Sequence, residues 1–209
     1  EDLYGNYTIE EIEVKYGTTD TPTAATEKSY EGFTAQAFTQ SNISGYGDTV
    51  IEIKYDRNTY RLTWHLENGI LSGTYTSGNV KYGTPIIKPN VEKAGYTFSG
   101  WYQDEGLNKP YIIPITMPPI DIDIYGKMTA NSGIHYTVLL YHQNADDDGY
   151  TLKETENLTG YTDELVTATA RSYDYFHFNG NAAGILLSGS IRADGSLELR
   201  LYYDRSING

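Results

Sequence analysis

The chain has 209 residues, a formal net charge of −13, 21 tyrosines and no cysteine. The lack of cysteine excludes disulfides, zinc–thiolate sites and thiol nucleophiles. An acidic composition without a basic patch disfavours nucleic acid and anionic membrane surfaces as partners. No run approaches the roughly 18 apolar residues of a membrane span, so no membrane insertion is expected in this segment.

The two ends of the chain are copies of each other. Residues 7–33 align with 150–176 at a constant offset of 143, and 12 of the 27 positions are identical. Both copies close on the same strand ending, YDR at 55–57 and at 203–205. Internal repetition of this kind indicates an array of small modules. The sequence predicts three modules, at residues 1–58, 59–130 and 131–209.

The first module follows the third from its second strand onward. Residue 1 aligns with Asn144, so nothing in the first module corresponds to the opening strand predicted at 134–143. Either the fragment was cut inside a module or the strand is supplied by something else. One sheet position beside residues 7–14 is therefore expected to be open to pairing with another strand.

The middle module has different motifs. A strand YRLTWH at 60–65 leads to VKYGTPI at 80–86, GYTFSGWY at 95–102 and TMPPIDIDIYGK at 116–127. These three motifs and their spacing resemble the Listeria-Bacteroides repeat, the B repeat of internalin-type surface proteins. The sequence departs from that family at Met128, where tryptophan is usual.

The third module begins with a predicted hairpin, two alternating runs at 134–144 and 150–158 around an Asp-rich turn. Asp163 is expected to cap a short helix at 164–172. A second hairpin is predicted about residues 193–195, followed by alternating apolar positions. The order β-β-α-β-β describes a β-grasp module.

The flanking modules resemble mucin-binding-protein-type repeats in their G-x-T-D turn, their SYEGF or SYDYF element and their terminal YDR strand. Tyr175 replaces the glycine found at Gly32. The two resemblances imply a β-grasp fold, a location on a Gram-positive-type bacterial surface and a non-catalytic part in an adhesin-like protein.

Two clusters are candidates for ligand binding. Trp101 and Tyr102 are a candidate sugar-stacking platform, although large aromatic residues also fill the cores of small modules, and this structural role is favoured. Asn144, Asp146 and Asp148 have the spacing with which a calcium loop opens, but Thr155 stands where an EF-hand has its bidentate glutamate. A solvent-exposed turn is the favoured interpretation, so neither a metal nor a cofactor is expected.

The sequence therefore predicts a mainly β (α+β) chain of tandem small β-grasp, ubiquitin-like modules in an elongated array. The expected role is that of a non-catalytic stalk in a cell-wall-associated, extracellular protein, with adhesion to a host surface protein or glycan. The alternative is a carbohydrate-binding region accessory to a secreted enzyme.

Overall fold

Strands provide all the regular structure of residues 1–206, the range that the computed structural model describes. In chain order they are β1 (Phe33–Ala35), β2 (Tyr55–Arg57), β3 (Thr59–Leu66), β4 (Ile70–Ser72), β5 (Gly78–Lys81), β6 (Asn90–Glu92), β7 (Tyr96–Tyr102), β8 (Ile122–Ala130), β9 (Ile134–Gln143), β10 (Tyr150–Gly160), β11 (Leu165–Thr167), β12 (Phe176–Phe178), β13 (Ser188–Ser190) and β14 (Glu198–Arg205). The mainly β prediction is confirmed.

Two four-stranded sheets share one arrangement. Their strand orders are β5-β3-β8-β7 and β10-β9-β14-β12. In the first sheet β3 is antiparallel to β5 and parallel to β8, and in the second β9 is antiparallel to β10 and parallel to β14. Each sheet thus places the opening strand of its segment beside a strand that comes much later in the sequence.

The α component of the predicted fold class is wrong, because residues 1–206 contain no helix. Within the predicted helix at 164–172, the β-branched pair Val166 and Thr167 lies in β11, which pairs with β13. Asp163 has a φ of +63°, outside the extended conformation of a helix N-cap, and its backbone N–H donates to Ile191. This segment therefore continues as sheet.

The turn predicted at residues 193–195 is present, with the Gly195 N–H donating to the Arg192 carbonyl at 2.9 Å. β13 and β14 on its two sides do not pair with each other, but an isolated antiparallel bridge between Leu186 and Arg200 closes the turn with two backbone hydrogen bonds. The predicted hairpin is thus present as this one bridge. β13 pairs with β11 and β14 pairs with β9. The alternation after the turn is confirmed: Leu197, Leu199, Leu201 and Tyr203 are all buried.

Contacts divide the chain into two compact units, one of Glu1–Val91 with Gly100–Lys127 and one of Glu92–Ser99 with the chain from Met128 onward. Each unit has one hydrophobic core. The buried residues of the first core are Leu62, Trp64, Val80, Ile113, Met117, Ile122 and Ile124. Those of the second are Val138, Leu140, Ile191, Leu197, Leu199, Leu201 and Tyr203. The division into three modules stays a prediction.

Residues 1–58 contribute no buried hydrophobic side chain to either core, although they contain the strands β1 and β2. β1 pairs with β2 in the register that β12 adopts with β14: Phe33 opposes Arg57 as Phe176 opposes Arg205. The first copy therefore retains part of the sheet seen in the second copy while lacking its core.

Candidate functional site

The two candidate sugar-binding residues, Trp101 and Tyr102, have different surroundings. Trp101 packs against the first core, with its ring centroid 4.9 Å from that of Trp64. Tyr102 follows it on β7, where successive side chains point to opposite faces, and the Lys127 ammonium lies 5.8 Å from the Tyr102 ring centre. The indole of Trp101 is thus a partly buried packing group.

The Asp-rich loop is closed by its own hydrogen bonds. The Asn144 side chain donates to Asp147 at 2.6 Å and accepts from Thr151 at 2.7 Å, and the Gly149 N–H donates to Asp147 at 2.7 Å. Asp146 and Asp148 are exposed. Across residues 1–206, no group of three or more His, Cys, Asp or Glu side chains is arranged to hold a metal ion.

His142 is a feature that the sequence did not single out. Its ring packs 4.1 Å from Phe176 and 4.6 Å from Tyr173, measured between ring centroids, and its Nε2 is buried without a hydrogen-bond partner. Burial lowers the pKa of His142, and the positive charges of Lys153 and Arg205 add to that shift. The imidazole is therefore held in its neutral form.

A tyrosine–carboxylate–amide network occurs in both copies. In the first, the Tyr7 hydroxyl donates to Asp56, while the Gln36 amide donates to Tyr7 at 2.8 Å and to Asp56 at 2.7 Å. The hydrogen bond to Asp56 raises the pKa of Tyr7 to about 12, and the same bond lowers the pKa of Asp56.

The second copy rebuilds this network with the equivalent residues. Tyr150 donates to Asp204, and the Asn179 amide donates to Tyr150 at 3.2 Å and to Asp204 at 3.0 Å. The bond to Asp204 raises the pKa of Tyr150. The two networks tie the segment that begins at Tyr7 or Tyr150 to the closing strand of its own copy.

A second network is also duplicated. Tyr30 donates to Glu11 at 2.7 Å, and Tyr173 donates to Glu154 at 2.8 Å. The N–H groups of Lys28 and Arg171 donate to the hydroxyls of Tyr55 and Tyr203, each at 2.8 Å. These contacts fix residues 28–30 of the first copy and 171–173 of the second, so the paired tyrosines and carboxylates have a structural role.

The largest difference between the copies lies at residues 7–17 and 50–54, which we call the open edge. In the second copy, β10 pairs with β9 at ten positions and β9 pairs with β14 at six. In residues 1–206, no strand pairs with 7–17 or with 50–54. Five apolar side chains of the open edge are strongly exposed: Ile9 81%, Ile12 78%, Val14 74%, Tyr16 97% and Val50 75%.

Two proteins of Evansella cellulosilytica are among the curated proteins that the sequence matches. One, named "Putative membrane protein", is 26% identical over 144 residues, which are 63% of this chain and 21% of the relative. The other, named "Putative Gly-rich membrane protein", is 27% identical over 138 residues, 61% of this chain and 15% of the relative. The chain thus spans about a fifth or less of the length of these relatives.

The described residues contain no helix that could cross a membrane. The middle of the chain has a family match of its own, in the region that carries the three motifs and the first core. Residues 60–127 match the Listeria-Bacteroides repeat domain, which confirms the resemblance found in the sequence for this module.

Proposed function

We propose that this chain is a non-catalytic part of the extracellular repeat region of a bacterial cell-surface protein, where it acts as a stalk. The observation that carries the proposal is the match of residues 60–127 to a Listeria-Bacteroides repeat, placed between two copies of a second repeat. Relatives named as membrane proteins, several times longer than this chain, support a surface location.

The modules are proposed to be β-grasp domains that have lost the helix. Strand order supports this interpretation: in both four-stranded sheets the first strand lies between an antiparallel neighbour and a parallel strand from the end of the segment. The Listeria-Bacteroides repeat and the second flanking copy thus share one strand arrangement. The likeness of the flanking copies to mucin-binding-protein-type repeats rests on their turn and strand motifs alone.

The packing of Trp101 favours the stalk role. It argues against the alternative, a carbohydrate-binding region accessory to an enzyme. A sugar-stacking ring must present its face to solvent, whereas Trp101 packs against Trp64 and the first core. Adhesion to a host protein or glycan remains part of the proposal, with surfaces other than Trp101 making the contact.

Trp101→Ala tests the two functions. We expect a loss of about 2–4 kcal/mol in the free energy of unfolding, because a partly buried aromatic side chain is removed from a core. Urea unfolding followed by the fluorescence of Trp64 measures it, since Trp64 and Trp101 are the two tryptophans of the chain. Tyr102→Ala is the matched control and should cost less than about 1 kcal/mol.

A glycan array completes the test. The stalk proposal expects no sharp, saccharide-specific binding by the purified chain. Specific binding that Trp101→Phe abolishes without lowering stability would establish the carbohydrate-binding function instead. The surface location has its own test: antibodies raised against residues 1–206 should label intact cells of the source bacterium.

A further inference from the structure

We propose that the open edge is an acceptor site for one additional β-strand, and that its occupant is a strand of the β9 type contributed by a repeat module other than those in this chain. The inference goes beyond the stalk role and does not depend on it. Its basis is the second copy, where β9 lies between the equivalents of both open segments.

The first argument concerns the backbone hydrogen bonds between strands. In the second copy, β9 provides hydrogen-bond partners for β10 on one side and β14 on the other. Their counterparts in the first copy, residues 7–17 and 50–54, form no such ladder within residues 1–206. An unpaired edge of this length is a template for pairing with another strand.

The second argument is that the surrounding contacts are already in place. The Arg57 guanidinium donates to the Glu1 carbonyl at 2.9 Å, as Arg205 donates to Asn144 at 3.1 Å. The Glu1 backbone nitrogen donates to the Tyr55 carbonyl at 2.9 Å. Glu1 is thus joined to β2 by the arginine contact that joins Asn144 to β14, and the occupant would meet the sheet beside Glu1.

The third argument is side-chain complementarity, read from the register of the second copy. Thr155 opposes Leu139 and Leu152 opposes Tyr141, and their counterparts in the first copy are Ile12 and Ile9. The exposed face of the open edge is therefore more apolar than the equivalent face of β10, where threonine replaces isoleucine at one position. Apolar residues of an added strand would cover Ile9 and Ile12.

The inward face of the open edge also favours an occupant with apolar side chains. Leu199 and Leu201 are fully buried against Val138 and Leu140, which oppose them on β9. At the 148-residue offset of the closing strands, their counterparts are Ile51 and Ile53, which are only half-buried. An occupant with apolar residues at alternate positions would complete this second, inward face.

The negative charge of the open edge favours an added strand without carboxylates. Residues 7–17 carry Glu10, Glu11 and Glu13 against Lys15, whereas β9 has no acidic residue. An acidic strand would place like charges opposite each other across the ladder, which destabilises strand pairs. The occupant is thus a strand of about ten residues, uncharged or basic, with apolar side chains on both faces.

Hydrogen–deuterium exchange on the full chain tests the proposal. In the protein as it stands, amides at 7–16 and 50–54 should exchange fast, while the equivalent amides of β10 and β14 are protected and serve as an internal control. Joining a second copy of the ten residues of β9 directly ahead of Glu1 should slow exchange at both open segments by at least about tenfold. The free ten-residue peptide should produce the same pattern at high concentration.

The matched control is the same fusion with Val138→Asp and Leu140→Asp in the added copy, which should leave exchange at the open segments fast. Since the chain has no cysteine, Ile12→Cys paired with Leu139→Cys in the added strand should form a disulfide, and Ile12→Cys paired with Val138→Cys should not. Unchanged exchange at 7–16 and 50–54 in the fusion, with β10 protected as before, would overturn the proposal.

Discussion

At the scale of single residues, the two copies are linked by what their tyrosines contact. Tyr7 and Tyr150 donate to equivalent aspartates, and Tyr30 and Tyr173 donate to equivalent glutamates. A tyrosine can pack its ring while its hydroxyl keeps a polar partner, which suits modules too small to bury many side chains completely. At these four positions tyrosine therefore supplies a packing ring and a hydrogen bond from one side chain.

One residue interrupts the match between the copies. Gly32 has a φ of +77°, and a Cβ built there would lie 2.3 Å from the Tyr82 ring, so only glycine fits. Its counterpart, Tyr175, holds a φ of +65° with 69% of the side chain exposed. The backbone turn is thus kept in the second copy without the neighbour that requires glycine.

Tyr175→Gly should therefore stabilise the second unit by about 0.5–1 kcal/mol, because relief of the left-handed strain outweighs the extra freedom of the unfolded chain. Urea unfolding measures the change. Tyr161→Gly is the control, since Tyr161 is also an exposed tyrosine but lacks a positive φ. That variant should lose stability, and equal effects at both positions would contradict the strain argument.

His142 should make stability depend on pH. Burial lowers its pKa in the folded state, so its contribution is fully present above the ordinary histidine pKa of about 6.5 and is lost as the pH falls through the lowered value. Urea midpoints at pH 7.5 and 5.5, above the range in which carboxylates titrate, should show a decrease for the native chain. His142→Phe should flatten this dependence, and an unchanged slope would exclude His142 as its source.

At the scale of elements, the parallel pairs β3 with β8 and β9 with β14 join segments that lie far apart in the sequence. Each central strand is covered on one face by a core. Alternate residues on β9 therefore lie on opposite faces of the sheet and differ in burial. Leu140 is 1% exposed in the second core, while Leu139 lies on the other face of the sheet.

This register predicts different costs for neighbouring substitutions. Leu140→Ala should destabilise by about 3 kcal/mol, because a filled core position becomes a cavity, and Leu139→Ala by about 1 kcal/mol. Chemical denaturation of the two variants measures the difference. A larger cost at Leu139 would mean that β9 is shifted by one residue, since such a shift exchanges the two faces of a strand.

Local patterns predicted the elements better than their pairing. The hairpin of β9 and β10 and the buried alternation from Leu197 to Tyr203 were both evident as runs of alternating residues. The parallel contact between β14 and β9 spans about 60 residues of sequence and leaves no local signal. The predicted helix failed because β-branched residues and a sheet partner outweighed the capping potential of Asp163.

The candidate sites show the same division. Alignment of the two copies predicted the open edge beside residues 7–14, because the second copy has an opening strand for which the first copy has no aligned residues. The contacts of His142 and of the tyrosine–carboxylate networks depend on residues distant in sequence, such as Tyr7 with Asp56. These contacts could therefore not be predicted without the fold.

At the scale of the whole molecule, acidity is the dominant electrostatic property. The chain has 28 acidic and 15 basic side chains, and ion pairs such as Lys28 with Glu11 are largely exposed to solvent. Exposed ion pairs contribute little, whereas excess negative charge opposes the compact state.

Raising NaCl from about 0.02 to 0.5 M at pH 7 should therefore increase the melting temperature by about 2–5 °C, because screening weakens the self-repulsion more than the ion pairs. Differential scanning calorimetry measures it. The control is the same titration near pH 4.6, the isoelectric point, where the increase should vanish. A decrease at pH 7 would show that ion pairs dominate.

The parallel neighbours also determine how the chain responds to tension. β9 begins at Ile134 and β14 ends at Arg205, and the two lie side by side over six paired positions. A force that pulls on the chain before β9 and after β14 slides these strands past each other, so their backbone hydrogen bonds are loaded together in shear. The pairing of β3 with β8 has the same geometry. Both units should therefore resist mechanical extension, which is the property that the proposed stalk role requires.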